Sequence, residues 1–189
     1  MNLTLRLPGK RYAHYLPNAI SLATPLHFFL EMDTLVAGDY DSPLGWYERV
    51  DEQPGPSLHQ VGLDQYAFCG QVQEVDVQRQ EMDLYYFVLL DCGAPISFVA
   101  VDLAADPGSG DVGQHAPHPG RWLMGVGRLA LAWDDDLTHP LAQTIQGSVI
   151  GIERLVLRPG PRFGEIRTED SLPPLPFAPD QIFLTLKII

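Results

Sequence analysis

The stretch YAFCGQVQEVDV, Tyr66–Val77, decides the fold class of this chain. Every second residue from Phe68 to Val72 belongs to one face, and from Val75 the apolar pattern continues one residue out of phase. Alternation predicts a half-buried β-strand, and a phase slip within a strand is typical of a β-bulge, where one extra residue is inserted. The sequence therefore predicts a strand with a bulge at Gln73–Glu74.

Four further strand-like stretches follow. LYYFVLL (84–90) is apolar on both faces, as in the central strand of a sheet, and ISFVAVDL (96–103) comes after a tight turn. RWLMGVGRLALAW (121–133) and SVIGIERLVLRPG (148–160) come after longer connections. Together the five strands predict an all-β, mainly antiparallel fold, either a small closed barrel or a β-sandwich, with its core in residues 66–158.

The order of these strands resembles the Greek-key barrel of the oligonucleotide/oligosaccharide-binding (OB) type. Three strands, a long connection and two more strands follow one another, and the first is bulged. The resemblance rests on this order alone and covers about half of the chain. Residues 104–120 depart from it, because an OB barrel commonly has a helix between its third and fourth strands and this glycine- and proline-rich segment cannot form one.

The segments on either side of the predicted barrel have less regular patterns. Residues 1–65 begin with the alternating strand LTLRLPG (3–9) and continue as an irregular extension with one further strand at Trp46–Val50. Residues 159–189 combine a proline-rich connector with QIFLTLKII (181–189), whose strict apolar alternation predicts a strand. Because an apolar terminus is rarely left loose, both segments are expected to pack on the barrel and form a single domain.

Two of the predicted strands share one pattern. GVGRLAL (125–131) matches GIERLVL (151–157) position by position. Like strands are expected to be neighbours in one sheet, and Arg128 and Arg154, which hold the same slot, are then expected to lie close together on one face. The glycines inside the first copy indicate bending or the close approach of another backbone.

The formal net charge of −12 is concentrated in the middle of the chain. Residues 31–111 hold sixteen acidic and two basic residues. Such a segment repels nucleic acid and anionic membranes, because binding to phosphates depends on Lys and Arg. The uncharged run Tyr12–Leu30 contains two prolines, two histidines and an asparagine, which disfavours a signal peptide or a membrane span and predicts a cytoplasmic protein.

Three histidines are the candidates for a metal site. His115 and His118 belong to the motif HAPHP (115–119), and His139 follows three aspartates after the next strand. A zinc-type site needs three or four ligands. If that strand is straight, the two groups of histidines lie roughly 40 Å apart. A solvated, proline-stiffened loop is therefore favoured, and no metal or other cofactor is predicted.

The chain carries no motif of a nucleophilic or nucleotide-dependent enzyme. The patterns G-x-S-x-G, G-x-G-x-x-G and the P-loop are missing. The two cysteines, Cys69 and Cys92, lie in or at the end of apolar strands, which is typical of reduced buried thiols. A non-enzymatic function is favoured, although catalytic sites assembled from distant residues leave no motif.

Three functions remain open. The leading interpretation is a non-enzymatic protein-binding or assembly module, because apolar strands at both termini can add to the sheet edge of a partner or of a second copy of the chain. The second is an OB-type binder of single-stranded nucleic acid. The third is a metal-dependent hydrolase at the histidine loop. The candidate binding residues are Arg121, Trp122, Arg128, Arg154 and Arg158.

Overall fold

The computed structural model describes residues 1–7, 20–80, 83–101, 116–132, 139–172 and 180–189. Every regular element in these residues is a β-strand and most pairings are antiparallel, which confirms the predicted all-β fold class. This part of the chain has no helix long and apolar enough to cross a membrane. The strands are β1 (Asn2–Leu7), β2 (Pro25–Met32), β3 (Leu35–Ala37), β4 (Gly45–Val50), β5 (Ser57–Gln60), β6 (Gln65–Gln80), β7 (Asp83–Asp91), β8 (Pro95–Val101), β9 (Trp122–Ala132), β10 (Ile145–Leu155), β11 (Ile166–Thr168) and β12 (Gln181–Ile188).

The chain divides into two compact units. The terminal unit comprises the described residues of Met1–Phe28, Ala130–Asp136 and Thr144–Ile189. The ring unit comprises those of Phe29–Leu129 and Leu137–Gln143. Strands β2 and β9 contribute residues to both units, and each unit has its own set of strand pairings.

Six strands of the ring unit pair in a closed ring. The antiparallel pairs β4–β9, β9–β6, β6–β7 and β7–β8 are joined by the parallel pairs β8–β3 and β3–β4. The register between β6 and β7 shifts between Val72 and Glu74, which confirms the predicted bulge. β3 and β4 come from the segment interpreted as an irregular extension. β4 confirms the strand predicted at Trp46–Val50, but the segment also forms β2, β3 and β5, so the expectation of one further strand is wrong.

Aromatic side chains from three strands fill the ring. Tyr47 of β4, Phe68 of β6 and Phe98 of β8 are at most 4% exposed, and the ring centroid of Phe98 lies 6.1 Å from each of the other two. Gly125 of β9 is in register with Tyr47 and with Phe68. A Cβ atom at Gly125 would lie 2.1 Å from the carbonyl oxygen of Trp46. The close backbone approach predicted for this glycine is therefore confirmed.

The terminal unit is a sheet in which β12 lies between β1 and β10. Leu3 and Leu5 of β1 and Leu184 and Leu186 of β12 are buried, as the alternation in both stretches predicts. The C-terminal strand is thus docked, as predicted. Because both edges of β12 are hydrogen-bonded within the chain, this strand offers no free edge to a second copy.

The strands of the repeated pattern, β9 and β10, are not paired with each other among the described residues. β10 pairs with β2, β11 and β12, and its pairings lie in the terminal unit. The prediction that the like strands are neighbours is wrong, because the shared pattern reflects similar burial and does not encode a partner. In the ring, the place expected for β10 is taken by β3 and β4.

Replacing Gly125 by alanine is expected to destabilise the protein by about 1–3 kcal/mol, because the added methyl group overpacks the ring interior. Gly151, which holds the same slot of the repeated pattern, is the matched control: a Cβ atom there meets Thr185 at 3.3 Å. Gly151→Ala should change the free energy of unfolding by less than about 1 kcal/mol. Urea denaturation measures both variants, and equal destabilisation would contradict this packing.

Candidate functional site

The outer face of the ring carries an open cavity at β4, β9 and β6. Alternation along β9 turns its glycines toward the interior and turns Val126 and Arg128 outward. Trp46 of β4 is in register with Val126, and Gln65 of β6 is in register with Arg128. This cavity, the outer pocket, has a volume of about 290 Å³, and its principal lining side chains are Tyr40, Leu44, Trp46, Gln65, Val126 and Arg128.

Tyr40 and Trp46 form a fixed aromatic pair in the outer pocket. Their ring centroids are 4.7 Å apart and their planes meet at 69°, an edge-to-face contact. The Tyr40 hydroxyl donates a hydrogen bond of 2.6 Å to Oε2 of Glu48. This bond and the negative charge of Glu48 raise the pKa of Tyr40, so the phenol stays protonated. Tyr40 is 60% exposed, so an oriented aromatic ring faces the solvent.

Arg128 presents its guanidinium to the solvent beside that pair. Its backbone carbonyl accepts a hydrogen bond from the Asp33 amide, but its exposed side chain forms no ion pair with any described residue. Among the described residues, it is the only charged one that lines the outer pocket. The pocket therefore combines an aromatic wall with a cation that the described part of the chain does not neutralise.

Arg154 and Arg158 have a different role, because both contact Asp180. The Asp180 side chain is fully buried, and its Oδ2 accepts hydrogen bonds from Nε of Arg154 at 2.7 Å and from Nη2 of the same residue. The Leu157 amide donates to Oδ1 at 3.0 Å, and Nε of Arg158 lies 3.5 Å from Oδ2. These two predicted binding residues thus hold β10 to the start of β12.

Opposing effects act on the pKa of Asp180. Burial raises it, because a carboxylate loses its hydration. The hydrogen bond from Leu157 and the interactions with Arg154 and Arg158 lower it by more, so the pKa lies below its ordinary value of 3.8. The carboxylate is therefore ionised at neutral pH and contributes to stability as an anion.

Arg121 and Trp122 lie where β9 begins. Arg121 is exposed, and its backbone carbonyl accepts a hydrogen bond from the Val72 amide. The indole Nε1 of Trp122 is buried and has no acceptor among the residues that the structure describes. Arg128 lies six positions after Trp122 along β9, a distance of roughly 20 Å. The predicted binding residues therefore do not come together as one site in either unit.

The three histidines considered as candidate metal ligands do not assemble in the described residues. His115 lies outside them, and His118 is exposed. His139 is buried: its Nε2 donates to the Phe98 carbonyl at 2.9 Å, and its Nδ1 accepts from the Leu141 amide at 3.3 Å. A metal ion would have to displace one of these bonds. Within the described ranges, no three His, Cys, Asp or Glu side chains are grouped as metal ligands.

The two cysteines are free thiols, and their surroundings favour the protonated form. Burial raises the pKa of Cys69. Burial raises the pKa of Cys92 far more, and the neighbouring Cys69 and Asp91 add to the effect. Because the thiolate is the nucleophilic form, neither cysteine is activated for catalysis.

The sequence analysis did not identify Tyr40 and Trp46, which form the aromatic wall of the outer pocket, or Asp180, which binds Arg154. Tyr40 and Trp46 lie in the turn-rich stretch GDYDSPLGW (38–46). Two aromatic residues so close to a turn are the feature of the sequence that could have identified them. Asp180 is the only acidic residue after Asp170, and it directly precedes the apolar C-terminal strand. A lone carboxylate in that position indicates a cationic partner, but the sequence does not say which one.

Asp180→Asn is expected to lower the free energy of unfolding by about 3 kcal/mol at pH 7, because it leaves Arg154 without its buried counter-ion. Asp170→Asn, which changes an exposed carboxylate, is the control and should have little effect. The contribution of Asp180 is present above about pH 4 and is lost as the pH falls through its lowered pKa. Urea denaturation at several pH values measures this, and a difference between variant and wild type that persists in strong acid would contradict it.

The stability of the protein is expected to fall as the pH drops below about 6.5. Burial lowers the pKa of His139, an effect that the hydrogen bond to Phe98 and the charges of Glu31 and Asp76 only partly oppose. In this pH range His139 takes up a proton in the unfolded chain but stays neutral in the folded chain. The free energy of unfolding therefore falls by up to about 1.4 kcal/mol per pH unit. His139→Gln should flatten the pH profile of the urea midpoint between pH 7 and pH 5, whereas the exposed-residue control His118→Gln should keep the wild-type slope.

No family model matches this chain, and no curated protein or solved structure matches it significantly.

Proposed function

We propose that this protein is a non-enzymatic module that binds a partner protein through the outer pocket. The observation that carries the proposal is the aromatic pair of Tyr40 and Trp46 beside Arg128, whose guanidinium no described residue neutralises. Tyrosine, tryptophan and arginine dominate the binding energy at protein interfaces. The outer pocket therefore has the composition of an interface hot spot.

The open form of the outer pocket favours a protein ligand over a small molecule. Sites for small molecules have volumes of roughly 300–1,000 Å³ and bury most of the ligand surface. The outer pocket, at about 290 Å³, lies at the lower end of that range, but it is open and its rim residues Tyr40 and Leu44 are at least half exposed. A cavity of this size accommodates one or two side chains, while the rest of a partner extends over the neighbouring sheet.

The chemistry of the lining favours binding over catalysis. None of the described residues that line the outer pocket is a histidine, cysteine, aspartate or glutamate, the types that supply most catalytic acids, bases and nucleophiles. Tyr40 keeps its proton, because its hydrogen bond to Glu48 raises its pKa. The lining can hold a ligand in place, and it offers no group poised to transfer a proton.

Single-stranded nucleic acid is the second candidate ligand, since a base can stack on the aromatic pair while Arg128 contacts a phosphate. Two of the other arginines considered for such a surface, Arg154 and Arg158, are engaged by Asp180. A chain with a net charge of −12 also repels a polyanion, which carries a negative charge at every nucleotide, more strongly than a peptide segment with a single carboxylate. A protein ligand is the better match to these charges.

The double variant Tyr40→Ala/Arg128→Ala is expected to weaken binding of the partner at least about tenfold, because it removes two hot-spot side chains from exposed positions. The matched control is Arg162→Ala/Phe163→Ala, which removes an exposed arginine and a 64% exposed aromatic residue in the terminal unit. Partners captured from cell extract by the wild type are identified, purified and titrated calorimetrically against all three proteins.

The control variant should bind as tightly as the wild type. Equal affinity of the wild type and the Tyr40/Arg128 variant would show that the outer pocket is not the docking site. Tight, salt-dependent binding of an oligonucleotide, lost in that same variant, would favour the nucleic-acid alternative instead.

A further inference from the structure

We infer that the partner segment bound in the outer pocket is acidic and carries an aromatic or proline ring two residues from its carboxylate. This inference rests on the proposed function and adds the chemistry of the ligand. Three features of the outer pocket lead to it: the charge of its lining, the fixed aromatic wall, and the spacing between the wall and the cation.

The charge of the lining selects an anionic ligand. The chain has 24 acidic and 12 basic residues, and two other arginines lie next to carboxylates: Arg49 lies 3.8 Å from Asp51, and Arg154 is bonded to Asp180. Arg128 has no such neighbour in the described part of the chain, and it is the only charged residue that lines the pocket. A guanidinium binds a carboxylate through two parallel hydrogen bonds. Among the described residues no carboxylate fills this position, and a carboxylate of the ligand would complete it.

Gln65 strengthens the case for a carboxylate. It is the cross-strand partner of Arg128 in the β6–β9 register, so both side chains leave the sheet on the same face. Its amide group can donate hydrogen bonds next to the guanidinium. The two residues present adjacent donors, and only the guanidinium is charged.

The aromatic wall selects a ring. The edge-to-face contact with Trp46 and the hydrogen bond to Glu48 hold the Tyr40 ring in one orientation before any ligand arrives. A wall that is already ordered loses little conformational entropy on binding. Flat aromatic faces pack best against another ring, either aromatic or proline, and such pairs add binding energy beyond the area that they bury.

The spacing between Trp46 and Arg128 sets the distance between the ring and the carboxylate of the bound segment. Trp46 is in register with Val126, and Arg128 lies two residues further along β9. Two residues along a strand and one step across the sheet place the Cα atoms of Trp46 and Arg128 roughly 8 Å apart. In an extended peptide, side chains two residues apart point to the same side and are separated by roughly 7 Å. A ring and a carboxylate at positions i and i+2 therefore match the pocket.

The test uses eight-residue peptides with phenylalanine and glutamate two residues apart, together with versions in which the glutamate is replaced by glutamine or lysine. Fluorescence anisotropy with labelled peptides measures affinity for the full-length protein. The glutamate peptide is expected to bind about tenfold more tightly than the glutamine peptide, and the lysine peptide more weakly still. Moving the glutamate to the position next to the phenylalanine should weaken binding.

Charge reversal makes the test specific to Arg128. Arg128→Glu should reverse the preference, so that the lysine peptide binds more tightly than the glutamate peptide. Arg162→Glu changes an exposed arginine of the terminal unit and should leave the wild-type preference intact. Tyr40→Ala should weaken all peptides about equally, because it removes the wall without changing the charge.

Each outcome separates this inference from the proposed function. Equal binding of the three peptides, or binding of none, would overturn the inference, and a natural partner that still needs Tyr40 and Arg128 would leave the proposed function standing. A natural partner unaffected by their loss would overturn both. Tighter binding of a twelve-nucleotide oligothymidine, dependent on Arg128, would assign the pocket to nucleic acid and overturn both as well.

Discussion

The packing of Tyr47, Phe68 and Phe98 inside the six-strand ring is the constraint on which the rest of the ring unit depends. These side chains fill the interior so fully that β9 passes between β4 and β6 only because position 125 is a glycine. Since strand residues alternate, the inward position of Gly125 also fixes which residues of β9 face outward. The outer pocket and its cation, Arg128, are consequences of this inward packing.

Arg154 of the terminal unit and Arg128 of the ring unit have opposite environments. In the terminal unit, the buried carboxylate of Asp180 accepts hydrogen bonds from Arg154 and lies near Arg158, so the positive charge there holds strands together. In the ring unit, Arg128 projects from the middle of a sheet into solvent, and no described residue neutralises it. A buried ion pair holds the fold together and costs much to break, whereas an exposed cation beside ordered aromatic rings remains available to a ligand.

The buried polar groups of the ring unit serve the fold. His139 is uncharged and satisfied at both nitrogens by the Phe98 carbonyl and the Leu141 amide, and Cys92 holds its proton. A buried polar group without partners would cost stability, and these bonds remove that cost. The groups that would ordinarily suggest catalysis or metal binding are thus occupied, and the partly exposed aromatic pair of the outer pocket carries the functional interpretation.

Within single stretches, the sequence by itself determined the strand of β6 with its bulge and the alternation of β12, because period-two burial is a local property of a strand. The outward direction of Arg128 follows from the same alternation. Tertiary structure alone decided which strands pair: β3 and β4 close the ring, and β10 pairs with β12 and not with β9. It also decided that Asp180 meets Arg154, 26 residues away, and that Tyr40 lies beside Arg128. A local pattern encodes which face of a strand is buried, but the neighbour that covers its edge depends on contacts between residues far apart in the chain.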